Sequence, residues 1–378
     1  MIINMQFSCN QDTFSKYLNI VSRVVSSKPG LPILNNVKFD TSKGKLLMTA
    51  TDLEIGITTW IGADIKSEGS ITVPAKQLAE FINSIPNEKV DIKLDGQSFA
   101  VKTTNNSAQF HTIPVEDYPE IAKVNKEKPL LKINNEDLVK AINRVAFAAA
   151  TDDIKPVLAG ILVEIEGSKI NFVGTDGLRL SRQSIELEVN SESNKSLLIP
   201  VKAMQELSFI ISEIIEGDDK IDVYIIENRN QILFRVGNVD LVSRLIDGDF
   251  PEYRQIIPTG FKTQCILNRS EFLDSLKVTN IIARTVLGNK LILDINSKEN
   301  SMTMSASQSD VGSNRSVFKG EISGDDVKIA FSSRLLSDVL SHLDQEDIIF
   351  ECSESVKPGV FRVKDDESFI HLVMPMML

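Results

Sequence analysis

The chain repeats itself. The segment Pro156 to Leu180, PVLAGILVEIEGSKINFVGTDGLRL, is preceded by a near copy of its own pattern, Pro32 to Ile55, PILNNVKFDTSKGKLLMTATDLEI. In both, 20 residues separate the leading proline from an aspartate, Pro32 from Asp52 and Pro156 from Asp176. Each copy reads as a short apolar strand, a hairpin turn at a glycine (Gly44, Gly167), a second strand ending at Thr-Asp, and another alternating run. A recurring block of this size folds as a repeated module, so the period constrains the architecture before any motif is sought.

The repeat extends in both directions. After an opening strand, Ile2 to Phe7, Asp12 can cap a helix with Phe14, Leu18, Val21 and Val25 on one side and Lys16, Asn19 and Arg23 on the other. A second helix is predicted in Thr72 to Pro86, with Pro74 as its first residue. A second unit then begins with a strand at Leu130 to Ile133. Asn135 can cap a helix whose Leu138, Ile142 and Val145 match Phe14, Leu18 and Val21 at a constant offset of 124. Lys140 and Asn143 match Lys16 and Asn19, and Pro200 and Lys202 answer Pro74 and Lys76. A diverged third unit follows from about Phe261, with a helix starting at Ser270 and a second one in FSSRLLSDVLSHL. There Ser307-Gln308 replaces Thr-Asp, and Asp274 stands where Lys16 aligns. The fold class expected is α+β: three tandem similar domains, residues 1–127, 128–260 and 261–378, each with two helices packed on antiparallel sheet. Units joined head to tail give curved arrays, which close into rings when the rotation per unit allows.

Charge and motifs narrow the function. A formal net charge of −11 argues against holding nucleic acid by bulk attraction, since that binding depends on Lys and Arg neutralising phosphates. No apolar run reaches membrane-spanning length and MIINMQFSCN lacks the layout of a secretory signal, so a cytoplasmic, membrane-free setting is expected. Cys9, Cys265 and Cys352 are odd in number and far apart, which points to core thiols and to no disulfide framework or metal site. The chain has no P-loop, GxGxxG, HExxH or GxSxG motif. His111, His342 and His371 lie in different stretches of the chain and read as structural. Asp52 and Asp176 read as turn residues whose side chains accept backbone N–H bonds; the competing reading, a metal-dependent nucleotide hydrolase, needs them as paired metal ligands. No catalytic residue, metal or cofactor is expected.

Two features do carry function. Lys16, Arg23, Lys140, Arg144, Lys76 and Lys202 recur on helix faces, with Lys28 and Lys155 in corresponding loops. A single such face is ordinarily a solvated one, but repetition at equivalent positions in an acidic chain suggests a basic surface that touches phosphates without reading bases. The second feature is HLVMPMML, apolar to the last residue, with Met374, Met376 and Met377 around Pro375. It reads either as a closing strand packed in the core or, set beside the TDGLRL edge, as a groove for several different peptides, which flexible methionines suit.

At these residues the chain resembles a known family. LPILNNVKF, TDLEIGI, VPAKQL, KPVLAG, TDGLRL, IDGDFPEY and VMPM, in that order over the whole length, are similar to the bacterial β sliding clamp, the processivity subunit of the replicative DNA polymerase. The resemblance implies half of a ring-shaped head-to-tail homodimer, helices inward, that encircles duplex DNA without sequence preference and performs no catalysis. The implied partners are a second copy of the chain, the polymerase catalytic subunit, a clamp loader and other replication and repair proteins. The peptide groove carries over to Leu158, Thr175, Gly177, Leu178, Arg179, Leu180, Pro251, Ile256 and Val356, together with Leu372, Val373, Met374, Pro375, Met376, Met377 and Leu378. The family often has His or Tyr where Leu178 stands and Arg where Met377 stands, so pocket polarity departs from the pattern at both. DNA-facing positions correspond to Lys28, Lys76, Lys155 and Lys202. A scaffold that binds partner peptides without DNA is the remaining alternative.

Overall fold

In the computed structural model, which describes residues 5–25, 31–42, 44–124, 128–151, 154–188 and 194–378, six helices stand among antiparallel strands. They are α1 (Gln11–Ser22), α2 (Ala75–Ser84), α3 (Asn135–Val145), α4 (Val201–Ile214), α5 (Arg269–Ala283) and α6 (Ser333–Ser341). The helical spacing of apolar residues is realised: Phe14, Leu18 and Val21 of α1 and Leu138, Ile142 and Val145 of α3 are fully buried. Helix starts differ from expectation by a residue or two. Asn10, not Asp12, caps α1, its Oδ1 accepting the N–H groups of Asp12 and Thr13. Pro74 sits at the N-cap of α2, and Asn268 caps α5 by accepting from Glu271 N–H. The Asn135 side chain is drawn to a neighbouring loop instead, donating to Gly217 O at 2.9 Å and accepting from Asp219 N–H at 3.2 Å.

The sheets do not follow the repeat boundaries. The chain divides into two compact units, residues 1–135 with 206–245 and residues 136–205 with 246–378. The first unit holds a five-stranded sheet in the order Asp64–Ser67, Gln6–Asn10, Lys89–Asp95, Ser98–Lys102, Ser107–His111. It also holds an eight-stranded sheet, in the order Leu131–Asn134, Lys220–Ile226, Gln231–Val236, Val239–Arg244, Ile55–Gly62, Lys45–Thr51, Asn36–Ser42, Gly69–Pro74. Four strands of that sheet come from the first repeat and four from the second, meeting where Val239–Arg244 pairs Ile55–Gly62.

The second unit repeats the arrangement. Its nine-stranded sheet runs Lys195–Pro200, Gly160–Glu166, Lys169–Thr175, Arg179–Glu186, Asp366–Val373, Gly359–Val363, Asp347–Cys352, Thr263–Asn268, Glu321–Gly324. The seam between second and third repeats is Arg179–Glu186 against Asp366–Val373, in register Arg179 to Val373 and Leu180 to Leu372. A four-stranded sheet, Gly312–Lys319, Ser301–Gln308, Lys290–Asn296, Val327–Ser332, completes the unit. Pairing edge strands of consecutive repeats covers two edges at once, which is why the sheets are shared and not one to a repeat. α5 and α6 pack into a core of Phe272, Leu276, Phe331, Leu336, Phe350 and Phe361.

Candidate functional site

The second seam ends in a patch of apolar side chains. Arg179, Val373 and Gly359 begin or end their strands in one cross-strand row. Beyond that row the chain continues as Met374, whose N–H donates to Leu178 O at 2.8 Å, and Met376, whose N–H donates to Ala330 O at 2.8 Å. Leu372 to Met374 therefore lies along the TDGLRL edge, and the chain then crosses to the strand Val327–Ser332 at Met376. Of the positions that the resemblance assigns to the groove, Leu178, Ile256, Val356, Met374, Met377 and Leu378 are exposed apolar side chains, at 57%, 50%, 77%, 41%, 91% and 57%. Gly177 and Pro251 are exposed too, and Pro375 and Met376 are half-buried. Surface apolar side chains gathered at one place mark an interaction site, whereas scattered ones do not.

The other positions that the resemblance assigns to the groove are buried, Leu158, Leu180, Leu372 and Val373 among them. Leu180 and Leu372 pack with Leu162, Val173, Leu198, Tyr253, Val360 and Ile370, flanked by Val157, Ile246, Phe250 and Ile257. Thr175 shapes the turn: its Oγ1 donates to Arg179 O at 2.6 Å and accepts Gly177 N–H at 3.1 Å. Arg179 departs from the groove. Neighbouring strand residues point to opposite faces, so with Leu180 on the floor Arg179 faces inward. Its Nε donates to Asp176 Oδ2 at 3.0 Å, its Nη1 to Asp338 Oδ2 at 2.5 Å, and its guanidinium lies 5.5 Å from the Phe147 ring centroid.

Behind Arg179, Ser181 Oγ and His371 Nδ1 share a hydrogen bond of 2.6 Å. Burial, reinforced by Arg179 and His342, holds the His371 ring well below the ordinary imidazole range. It is a neutral core histidine. The two Thr-Asp dipeptides build the same turn. Asp52 Oδ1 accepts from Glu54 and Ile55 N–H, Asp176 Oδ1 from Leu178 and Arg179 N–H. That is the turn chemistry read from sequence, and among the described residues no group of His, Cys, Asp and Glu is arranged to hold a metal.

The basic positions separate into two classes. Lys16, Lys76, Lys155 and Lys202 are exposed. Lys28 lies outside the described residues. Arg23 is clamped by Glu206, with Nε to Oε2 at 2.5 Å and Nη2 to Oε1 at 3.2 Å, and stacks 3.8 Å from the Phe209 centroid. Its charge is largely neutralised. Arg144 is no surface residue: at 1% exposure it donates to Gln183 Oε1 (3.0 Å), Asp366 Oδ2 (3.0 Å) and Gln345 Oε1 (2.6 Å). Lys140, one turn earlier, reaches the same carboxylate at 3.4 Å. A buried guanidinium cannot touch DNA, so Arg144 is withdrawn from the DNA-facing set.

One groove neighbour escaped the sequence reading. Leu287 is 94% exposed in the turn after α5, next to Gly288 (φ +72), where a Cβ would come 2.6 Å from Met376 Cε. The turn therefore borders the tail segment. Its only signal was an apolar residue where turn chemistry favours polar ones.

With this geometry in place, comparison with known proteins is informative. Family models of the DNA polymerase III beta subunit match throughout: the N-terminal domain at residues 5–122, the central domain at 132–252 and the C-terminal domain at 254–377. The Staphylococcus epidermidis beta sliding clamp is 27% identical, with 98% of this chain and 99% of the relative covered. That of Synechocystis is 29% identical, with 99% and 100% covered. The crystal structure of the Bacillus subtilis DNA polymerase sliding clamp superposes with a TM-score of 0.93 at 25% identity, covering 99% of this chain and 100% of that one. The Pseudomonas aeruginosa clamp bound to griselimycin gives 0.90 at 26%, with the same coverage. No helix among the described residues is long and apolar enough to cross a membrane. Three tandem clamp domains and matches over the full length lead to one conclusion: the chain belongs to the DNA polymerase III beta subunit family, the bacterial sliding clamps, which are non-catalytic processivity factors of the polymerase.

Proposed function

We propose that two copies of this chain join head to tail into a ring around duplex DNA, and that the polymerase catalytic subunit, a clamp loader and repair proteins dock through peptides seated in the apolar groove. The observation that carries the docking half is the exposed apolar pair Leu178 and Met374, joined by a backbone hydrogen bond at the second seam of a sliding-clamp chain. A closed ring cannot leave DNA sideways. Weak phosphate contacts then suffice, and a bound polymerase stays at its primer end because the tether raises its effective concentration there. Lys16, Lys76, Lys155 and Lys202, with Lys28, supply those contacts in this proposal. The three domains are assigned to residues 1–127, 128–260 and 261–378, and the setting is the cytoplasm, on the nucleoid.

Closure is supported by two open sheet edges. Ser107–His111 ends the five-stranded sheet and Gly312–Lys319 the four-stranded one. Beside the latter, α5 exposes Val278 and Ile281 one turn apart, and Val311 and Val317 are exposed too. Thr279 Oγ1, bonded to Asn314 Oδ1 at 2.8 Å, ties this helix to that strand. We assign the joint to Ser107–His111 of one copy against Gly312–Lys319 and α5 of the other.

The test is topological. Protein loaded by a clamp loader onto nicked circular DNA is passed through a sizing column before and after the DNA is cut to linear form. Release on cutting is the expected result; equal retention on both forms would show ordinary affinity binding and refute encirclement. Charge reversal of Lys28, Lys76 and Lys202 shortens retention on circles in this reading and leaves a pure peptide scaffold unaffected. Griselimycin, bound by the Pseudomonas aeruginosa relative, is expected to compete with partner peptides here.

A further inference from the structure

The outer face of the nine-stranded sheet carries a cation that neither the core nor the groove floor uses. Arg182 lies two residues beyond Leu180 on Arg179–Glu186, hence on the same face, at a spacing of about 7 Å. Its neighbours across the two adjoining strands are Val173 and Ile370, both part of the apolar cluster under the groove. Arg182 is half-buried, its Nε is buried without a partner, and its guanidinium makes no ion pair among the described residues.

Glu164, the carboxylate that acts on Arg182, is already engaged, as are Glu166 and Glu351 with the neighbouring arginines Arg254 and Arg362. Glu164 accepts from Tyr253 Oη at 2.6 Å and from Arg254 Nη2 at 2.9 Å, and Glu166 takes Arg254 at 2.8 Å. Glu351 accepts from Arg362 Nε at 3.0 Å and Gln264 Nε2 at 2.9 Å. Burial lowers the Arg182 pKa, opposed by Tyr253 and Glu164 and reinforced by Arg362 and Arg254, yet a guanidinium stays charged at neutral pH. A half-buried charge that no carboxylate contacts directly is costly, and that cost is relieved when an anion docks. The planar fork suits a carboxylate, which it can take through two parallel hydrogen bonds. The Glu164 carboxylate, which acts on the same guanidinium, disfavours a more highly charged group such as phosphate.

We infer that Arg182 is an acidic-residue subsite of the groove: a partner peptide that seats apolar side chains beside Leu178 and Met376 presents an Asp or Glu carboxylate to the Arg182 guanidinium. The inference rests on the peptide-groove reading and adds a charge requirement to it. It makes Arg182 a specificity residue, because the same apolar peptide without its acid leaves the cation unpaired.

The experiment uses the full-length protein and fluorescein-labelled, end-capped hexapeptides with two leucines and a single Asp walked along the other positions. Each has an Asn twin, and binding is read by anisotropy. In the wild type, at least one Asp peptide is expected to bind about tenfold more tightly than its twin. The difference disappears in Arg182→Gln and survives in part in Arg182→Lys, while Leu178→Asp weakens both twins alike. Twins that bind the wild type equally, or an Asp preference that persists in Arg182→Gln, overturn the inference; if Leu178→Asp still weakens both, the groove stands and only Arg182 falls. If no peptide binds the wild type, groove and subsite fall together.

Discussion

Replacing Arg144 by Met tests whether the second unit depends on its buried guanidinium. Three acceptors, Gln183 Oε1, Asp366 Oδ2 and Gln345 Oε1, lose their donor, and the guanidinium leaves the Phe369 ring, 5.3 Å from its carbon. Hydrogen bonds to a charged group contribute about 1.5 kcal/mol or more each, and water can reach the half-buried Gln345 and the Asp366 side chain, 21% exposed. A loss of about 3–5 kcal/mol follows, as for other buried pairs broken from one side. The assay separates the two units. Trp60, the single tryptophan, is in the first unit and Arg144 in the second, so urea unfolding is followed by both tryptophan fluorescence and far-UV circular dichroism. The dichroism transition of Arg144→Met is expected to move to lower urea, and Asp366→Asn added to it recovers part of the loss by removing the stranded charge. pH gives a further check. Burial raises the Asp366 pKa, but hydrogen bonds from Ser368 and Arg144, with Lys140 nearby, outweigh it and bring it down to about 2. A depressed carboxylate contributes stability above its ordinary pKa and loses it as pH falls through the folded value, so the wild-type advantage is full at pH 7 and shrinks toward pH 2. A destabilisation below about 1 kcal/mol at pH 7 would refute the reasoning.

Other expectations are simpler to check. Ile281→Asp puts a charge into the proposed joint between copies and should weaken dimerisation by about 30- to 1,000-fold, or 2–4 kcal/mol, read by sedimentation; an unchanged dimer would remove α5 from the interface. Leu53 (φ +80) occupies the place that Gly177 (φ +89) takes in the second repeat. Gly177→Ala should therefore cost about 1 kcal/mol, and Leu53→Gly should be neutral or stabilising by up to about 1 kcal/mol in urea melts. Burial pushes the thiols of Cys9, Cys265 and Cys352 up to about 12, so a disulfide reagent at pH 8 should leave native protein untouched and label all three on unfolding.

Most of the architecture was legible because it is written in period. The 124-residue offset placed α3 from α1, an offset of 126 (Pro74 to Pro200, Lys76 to Lys202) placed α4 from α2, and the apolar positions aligned between α1 and α3 are buried. Sharing of sheets between repeats was not legible, since the pattern of one strand does not name its neighbour. Caps slipped because Asn10 and Asp12 are competing acceptors two residues apart, and only backbone geometry chooses between them. Arg144 was misread for a related reason. Helical spacing sets it one turn from Lys140, on the polar side, but its long side chain reaches Asp366, 222 residues away in sequence. Arg179 needed no structure: period-two alternation alone separates it from Leu178 and Leu180, and groups Arg182 with them.

The two seams share a fold and differ in their exposed side chains. At the first seam Arg244 N–H donates to Glu54 O at 3.0 Å; at the second, Met374 N–H donates to Leu178 O at 2.8 Å. Glu54 and Leu178 are equivalent by the 124-residue offset, and the Asp52 and Asp176 turns before them share the same hydrogen bonds. The backbone is thus repeated faithfully while the exposed pair changes from Glu54 and Arg244 to Leu178 and Met374. A charged pair on such an edge keeps water and repels apolar partners; an apolar pair invites them. Tandem repetition supplies edges of the same backbone, and substitution of two side chains gives one of them the apolar face on which the proposed docking rests, without a new element of structure.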